Sequence, residues 1–330
     1  MAPAPQIDET IPPEDREVRS QSGRAARRCA PFAVLVCLLS AVAAIEPSFL
    51  SPYALNVLAD ESAPILILAT AQTVVILMGG IDLSMAAIAS LASVLIALAL
   101  PAIGSGGIVG VLMFTTSIGA VQGFIHTRAQ IPSFIVTLAG LGVWSGLALT
   151  IARTTMPVGA GYSVVGWLAR SSMGIPNSFN TALAALIVLA VALRLLPFGR
   201  HVYAVGMAER AALLSGVRVG RTKVLGFALT GLFSGLAGLA MLARTSSGSP
   251  TIADSLLLPS IAAVMIGGTA INGGIGGLGG TLIGTLTITV LRVGFATMGV
   301  DPAYEPIAYG VVAVAAVALT IDRSMAQIVK

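Results

Sequence analysis

Long apolar runs follow one another along nearly the whole chain, separated by short knots of glycine, proline and charge. Each is roughly 17 to 25 residues, the length a helix needs to cross a hydrocarbon layer about 30 Å thick. Ten such segments are marked, at 30–46, 62–79, 83–101, 106–126, 132–152, 178–197, 223–243, 257–272, 276–298 and 304–321. The runs are continuous and do not alternate, which predicts α-helices and not the strands of a membrane barrel. Two connections exceed a turn. Residues 153–177 hold Tyr162, Trp167 and Pro176 and read as an interfacial or re-entrant piece with an aromatic anchor. Residues 198–222 read as a basic loop carrying a short helix from about Ala208 to Ser215, ended by Gly216.

Composition extends this from segments to the whole. Of 330 residues, 56% are hydrophobic and 10% charged, with a mean hydropathy of +0.95; a water-soluble chain carries about 25% charged residues. Most of the exterior must therefore meet membrane lipid. The expected class is all-α: one polytopic transmembrane bundle of about ten helices over 30–322, with tails at 1–29 and 323–330. The first tail holds Arg16, Arg19, Arg24, Arg27 and Arg28 beside four prolines and five acids, and reads as a disordered basic cytoplasmic tail. Its mixed charge argues against a cleaved leader at Ala41-Val42-Ala43. Cys29 and Cys37 lie eight apart, about 12 Å of helical rise, too far for a disulfide.

Charge sets the orientation. With the N-terminus inside and ten spans, fourteen of the Lys and Arg residues fall on the cytoplasmic side. Only Arg153, Arg170 and Arg244 fall outside, and Arg292 sits within a span. Cytoplasmic loops of membrane proteins collect such residues, so both termini are placed inside.

Catalytic chemistry is missing from the pattern. The two histidines, His126 and His201, stand apart, and no span carries a metal-ligand pair, a paired carboxylate or a nucleophile elbow. The run Gly273 to Gly280 lacks the Gly-Lys-Ser/Thr ending of a phosphate loop, so ATP would have to be hydrolysed by another chain. No cofactor, metal or nucleic-acid partner is expected. Ion-coupled transporters place acids, histidines or lysines inside their spans; here Asp82 and Arg292 are the clear candidates. A conduit with an external energy source fits this better, with a secondary transporter as the alternative.

Three constellations carry information. Met78-Gly79-Gly80-Ile81-Asp82-Leu83-Ser84 interrupts two spans with two glycines and an acid. Broken backbone at membrane depth is tolerated where protein buries it or water lines it. It is either a tight cytoplasmic turn with a capping Asp82 or Ser84, or part of a translocation path. The stretch Gly267-Gly268-Thr269-Ala270-Ile271-Asn272-Gly273-Gly274, continuing to Gly284, has spacings such as Gly273/Gly277 and Gly280/Gly284 that let helices approach closely. Its Gly-Gly echoes Gly79-Gly80, a hint of an internal repeat. The third is the segment from Gly199 to Gly216, whose short helix between two spans would act as a lever.

These residues make a family resemblance. The chain resembles the permease subunits of the ribose/xylose/galactoside class of ABC importers, distantly similar to branched-chain amino-acid permeases, over about residues 54 to 322. Its markers are Gly79 to Ser84, Ile131-Pro132-Ser133-Phe134-Ile135-Val136-Thr137-Leu138, Gly199 to Gly216 and Ile261 to Thr269. The resemblance implies a bacterial inner-membrane protein that works as two permease copies or paralogues. Its partners would be an ABC ATPase and a periplasmic solute-binding protein delivering a sugar-like solute. It also implies that Glu209, Arg210, Ala211, Ala212 and Gly216 belong to an ATPase-coupling helix, with Glu209 pairing to a basic group on the ATPase. Gly79, Gly80, Asp82, Ser84, Thr137 and Asn272 would lie along the path or its gate. Departures are Met85-Ala86 in place of Val-Gly, Gln122-Gly123 in place of Asn-Gly, and Leu291-Arg292-Val293-Gly294 in place of Asn-Asn-Gly-Leu. Thr251-Ile252-Ala253-Asp254 also replaces a Gly-rich lead-in. They leave the solute open among pentoses, hexoses, polyols and related signalling molecules. Arg292 would contact that solute, snorkel to an interface, or pair structurally.

Overall fold

The computed structural model describes residues 30–320; the tails, with Cys29, lie outside the described residues. Each of the ten expected segments contains a helix. They are α1 (Ala30–Ile45), α2 (Pro52–Leu77), α3 (Met85–Ile103), α4 (Ser105–Arg128), α5 (Ser133–Ile151), α7 (Asn177–Leu195), α10 (Val219–Thr245), α11 (Leu257–Ile266), α12 (Leu278–Thr297) and α13 (Glu305–Thr320), with three short helices between them, α6 (Tyr162–Val165), α8 (Pro197–Met207) and α9 (Glu209–Leu214). Seven of the described helices, α2, α3, α4, α5, α7, α10 and α12, are long and apolar enough to cross a membrane.

Helix α2 is the axis of the bundle. Its apolar window is 89% buried, against 22% for α5. Ile65 to Leu77 pack against Leu186 and Leu189 of α7, Phe227 and Phe233 of α10, and Ile288 of α12. Because every side of α2 meets protein, the helix is apolar all round and shows no stripe. Helix α1 packs on the outside, its Val42 against Val290 and Val293 of α12. The exposed apolar faces of α4, α5 and α7 carry Phe124, Leu138, Val143 and Val188, as lipid-facing surfaces do.

Three boundaries differ from expectation. Helix α2 starts at Pro52 and not at 62, because Asp60 and Glu61, which look like a span end in the sequence, are paired inside the bundle. The eighth segment stops at Ile266 and not at 272, where the Gly267-Gly268 pair turns the chain. The loop 198–222 holds a further helix, α8 (Pro197–Met207), before the expected one. Pro197 opens it, and Phe198, Val202 and Val205 put one face against the core.

Residues 153–177 fold into a cap over the ends of α3 and α10. Strand β1 (Met156–Pro157) pairs antiparallel with β4 (Ser247–Gly248), and β2 (Ser171–Ser172) with β3 (Ile175–Pro176). On α6 (Tyr162–Val165), the Tyr162 hydroxyl donates to the Ala243 carbonyl (2.9 Å). Trp167, the other aromatic of this segment, is half exposed.

Candidate functional site

The turn between α2 and α3 is built from its glycines outward. Gly79 has a φ of +76°, a conformation glycine adopts freely. Its N–H donates to the Ile76 carbonyl (2.8 Å) and that of Gly80 to the Val75 carbonyl (3.0 Å), closing the helix with a Schellman motif. The chain then turns inward and places Asp82 at 0% exposure. One carboxylate oxygen accepts from the Ser84 N–H (2.8 Å) and the Ser84 hydroxyl (2.7 Å), and the other from the Thr230 hydroxyl on α10 (2.6 Å). The Ser84 oxygen also lies 2.9 Å from Oε1 of Gln122 on α4. Its single proton serves one acceptor at a time. Thr137 and Ser133 of α5 accept the N–H groups of Leu83 (3.0 Å) and Ile81 (3.1 Å).

Asp82 is thus neither an exposed capping residue nor paired with a cation among the described residues. Ser84 occupies the N-cap of α3 without a side-chain capping bond. Neutral donors replace the water that a carboxylate loses on burial, and they come from the start of α3 and from α10. Gly79, Gly80, Asp82, Ser84 and Thr137 are brought together here. Asn272 joins them through its backbone, whose carbonyl packs on Gly79, while the residue itself is exposed.

The second Gly-Gly repeats the first. Gly268 has a φ of +84°; its N–H donates to the Met265 carbonyl (2.9 Å) and that of Thr269 to Val264 (3.2 Å). The loop that follows returns to the first turn, where the Gly274 N–H donates to the carbonyl of Leu77 (2.9 Å). Of the two small-residue spacings, Gly280/Gly284 forms a helix contact, its backbone against that of Gly267 and Ala263. Gly273 and Gly277 lie in the loop and at the helix start.

Beside these turns stands α9 (Glu209–Leu214), followed by Gly216 with a φ of +85°. Ala212 is buried, whereas Glu209, Arg210, Ala211 and Gly216 are exposed, as are Met207, Leu213 and Leu214. Glu209 is not free to await a partner. Both its oxygens lie 2.8 Å from the Lys223 ammonium on α10.

Sequence reasoning missed Thr230 and the pairing of Lys223 with Glu209; Ser133 entered it as part of a family marker and Gln122 as a departure from the family pattern. The one signal for Thr230 is a spacing of small and hydroxyl residues along α10, Gly226, Thr230, Ser234 and Gly238, on one helix face. It also missed a charge network near the start of α2, about 25 Å of helix away from Gly79. Arg244 binds Asp60 (3.0 Å) and Glu61, and Arg292 approaches Glu61 (3.7 Å) and Glu305 (3.6 Å). Arg292 is therefore structurally paired.

Comparison with known proteins gives the chain its family. The family described as branched-chain amino acid transport system / permease component matches residues 54–317. The ribose import permease of Bacillus subtilis (strain 168) is 38% identical over 303 residues, covering 90% of this chain and 94% of the relative. That of Escherichia coli (strain K12) is 32% identical over 291 residues, 86% and 90% of the two chains. The fructose import permease of Rhizobium meliloti is 34% identical over 306 residues, 88% and 84%. No solved structure matches.

Proposed function

The chain belongs to the permease-component family of branched-chain amino acid transport systems, and from that premise we propose that it forms the membrane path of an ATP-driven importer for a sugar or sugar-like solute. The sugar assignment is supported by the relatives, named as ribose and fructose import permeases at 32% to 38% identity over most of both chains. The family's own description speaks of amino acids; the relatives decide the substrate class.

One observation carries the mechanism: α9 is a short exposed helix beside the Asp82 turn, presenting Leu213 and Leu214 outward, with exposed Met207 at the end of α8 next to it. Exposed apolar side chains outside the long helices are suited to a protein partner, here an ABC ATPase. The α9 end is cytoplasmic in this reading, as are both termini. Helices α1 and α13 complete the crossings, as does α11 with the loop that follows it, in a single permease domain of the bacterial inner membrane. Two permease copies or paralogues enclose the path, and a periplasmic binding protein delivers solute at the other face. ATP binding draws the two ATPase subunits together, α9 moves with them, and the turns carrying Gly79 to Ser84 and Asn272 shift between outward and inward access. The chain performs no covalent chemistry.

The test is recovery of the tagged protein from its native membrane in mild detergent, followed by mass spectrometry. An ATPase with a Gly-x-x-x-x-Gly-Lys-Ser/Thr loop should co-purify. Recovery of this chain alone, with uptake into sealed vesicles that needs no ATP, would move it to the secondary transporters.

A further inference from the structure

Helix α9 and the Asp82 turn are separated by a void. A cavity of about 320 Å³ lies between them, bounded by Glu209 on one side and by Gly79, Gly80 and Ile81 on the other. A push on α9 does not cross this cavity but passes around it by two routes. One is the end of α8, next to α9 in the chain, where Gly206 packs on Leu77 and Gly274; the other is one face of α10. Lys223, Phe227 and Thr230 follow at i, i+4 and i+7, side by side on a helix. Lys223 grips both oxygens of Glu209 at 2.8 Å, and its side chain is only 13% exposed against 54% for Glu209. Phe227 is buried, its ring 5.7 Å from that of His126. Thr230, about 10 Å further along α10, donates to Asp82 at 2.6 Å.

Without this grip α9 is held loosely. It is six residues long, and within it only Ala212 is buried. We propose that Lys223 is a positioning residue for energy coupling: it clamps Glu209 so that α9 and α10 move as one body, and α10 delivers the movement to Asp82 through Thr230. The proposal rests on the importer reading above and changes one part of it. The partner of Glu209 is within this chain and not on the ATPase.

The test uses the assembled importer in proteoliposomes, with solute uptake and ATP hydrolysis measured in parallel. Glu209→Lys, Lys223→Glu and the double exchange are compared with wild type, after confirming that each inserts and retains the ATPase. Partly exposed pairs contribute little to folding, so insertion is expected to survive. Each single variant should lose about fivefold or more in uptake per ATP hydrolysed, and the double exchange should recover most of it, the pattern of a coupled pair. Thr230→Val, at the other end of the track, should lower the same ratio with the clamp intact. A double exchange as poor as Glu209→Lys alone would overturn the clamp, since Glu209 would then answer to a group on the ATPase. So would wild-type uptake per ATP in Lys223→Glu or Thr230→Val. If the single variants shed the ATPase, its return in the double exchange supports the clamp and its continued absence overturns it. These outcomes leave the importer reading standing; that reading and the clamp fall together only if the wild-type chain binds no ATPase.

Discussion

Asp82 is buried with neutral donors in place of water, so a change there removes an acceptor that several groups were built around. Asp82→Asn keeps the volume but turns an amide toward either the Thr230 hydroxyl or the Ser84 donors. Thr230 retains a second acceptor in the Phe227 carbonyl at 2.8 Å, which limits the damage. We expect normal insertion, with uptake lowered by about tenfold, the scale of one or two kcal/mol for a buried unsatisfied group. Uptake and the detergent gel-filtration profile of the variant measure both. Half of this site was legible. Asp82 and Ser84 are two apart, and an acid in a Gly-Gly break marks itself. Thr230 stands 148 residues away, and on the sequence it looks like any of the helical hydroxyls that bond their own backbone, such as Thr70 and Thr289.

At the scale of the element, apolar length announces each helix, because lipid and core alike demand it. Ends are harder, because they depend on partners remote in sequence. Asp60 and Glu61 read as a boundary until Arg244, more than 180 residues on, is seen to neutralise them within α2. Helix α8 was hidden for the opposite reason: its glycines and basic residues look like a loop, and only the spacing of Phe198, Val202 and Val205 betrays a buried face. The contact of α11 with α12 is fixed by backbone approach at Gly284, where an added Cβ would collide with the Ala263 carbonyl. Gly284→Ala should destabilise by about 1–3 kcal/mol, as overpacking does, and appear as a lower thermal transition in detergent. Gly142→Ala on the open face of α5 is the matched control and should leave the transition unchanged or slightly raised, since alanine favours a helix over glycine.

The whole molecule is braced differently at its two ends. Near the α9 end, the Glu209–Lys223 pair apart, the braces are backbone and hydroxyl hydrogen bonds between α2, α3, α5, α10 and the loop before α12. At the opposite end they are ionic. Asp60, Arg244, Glu61, Arg292 and Glu305 alternate in sign, with Ser178 donating to Asp60 and Tyr309 to Glu305 at 2.6 Å each. Their side chains are 18% to 33% exposed, open enough for salt to act. Arg292→Gln should lower the thermal transition at low ionic strength, and about 0.5 M salt should shrink the difference from wild type, since screening weakens exposed pairs. An unchanged gap would show that Arg292 acts through packing alone. At this scale too, the importer reading predicts that vanadate, which traps ABC ATPases, stops uptake in sealed vesicles; undiminished uptake would argue for an ion-driven carrier.

The bond from Thr230 to Asp82 also has a consequence for how the protein is made. A ribosome adding about 5–20 residues per second needs roughly 7–30 s to travel the 148 residues between them. Through that interval the nascent first half carries a carboxylate whose distal donor has not been synthesised. Biogenesis must shelter it, at the mouth of the insertion machinery or in a pocket of water. A chain stopped just before residue 230 should therefore turn over faster in the cell than one stopped just after α10.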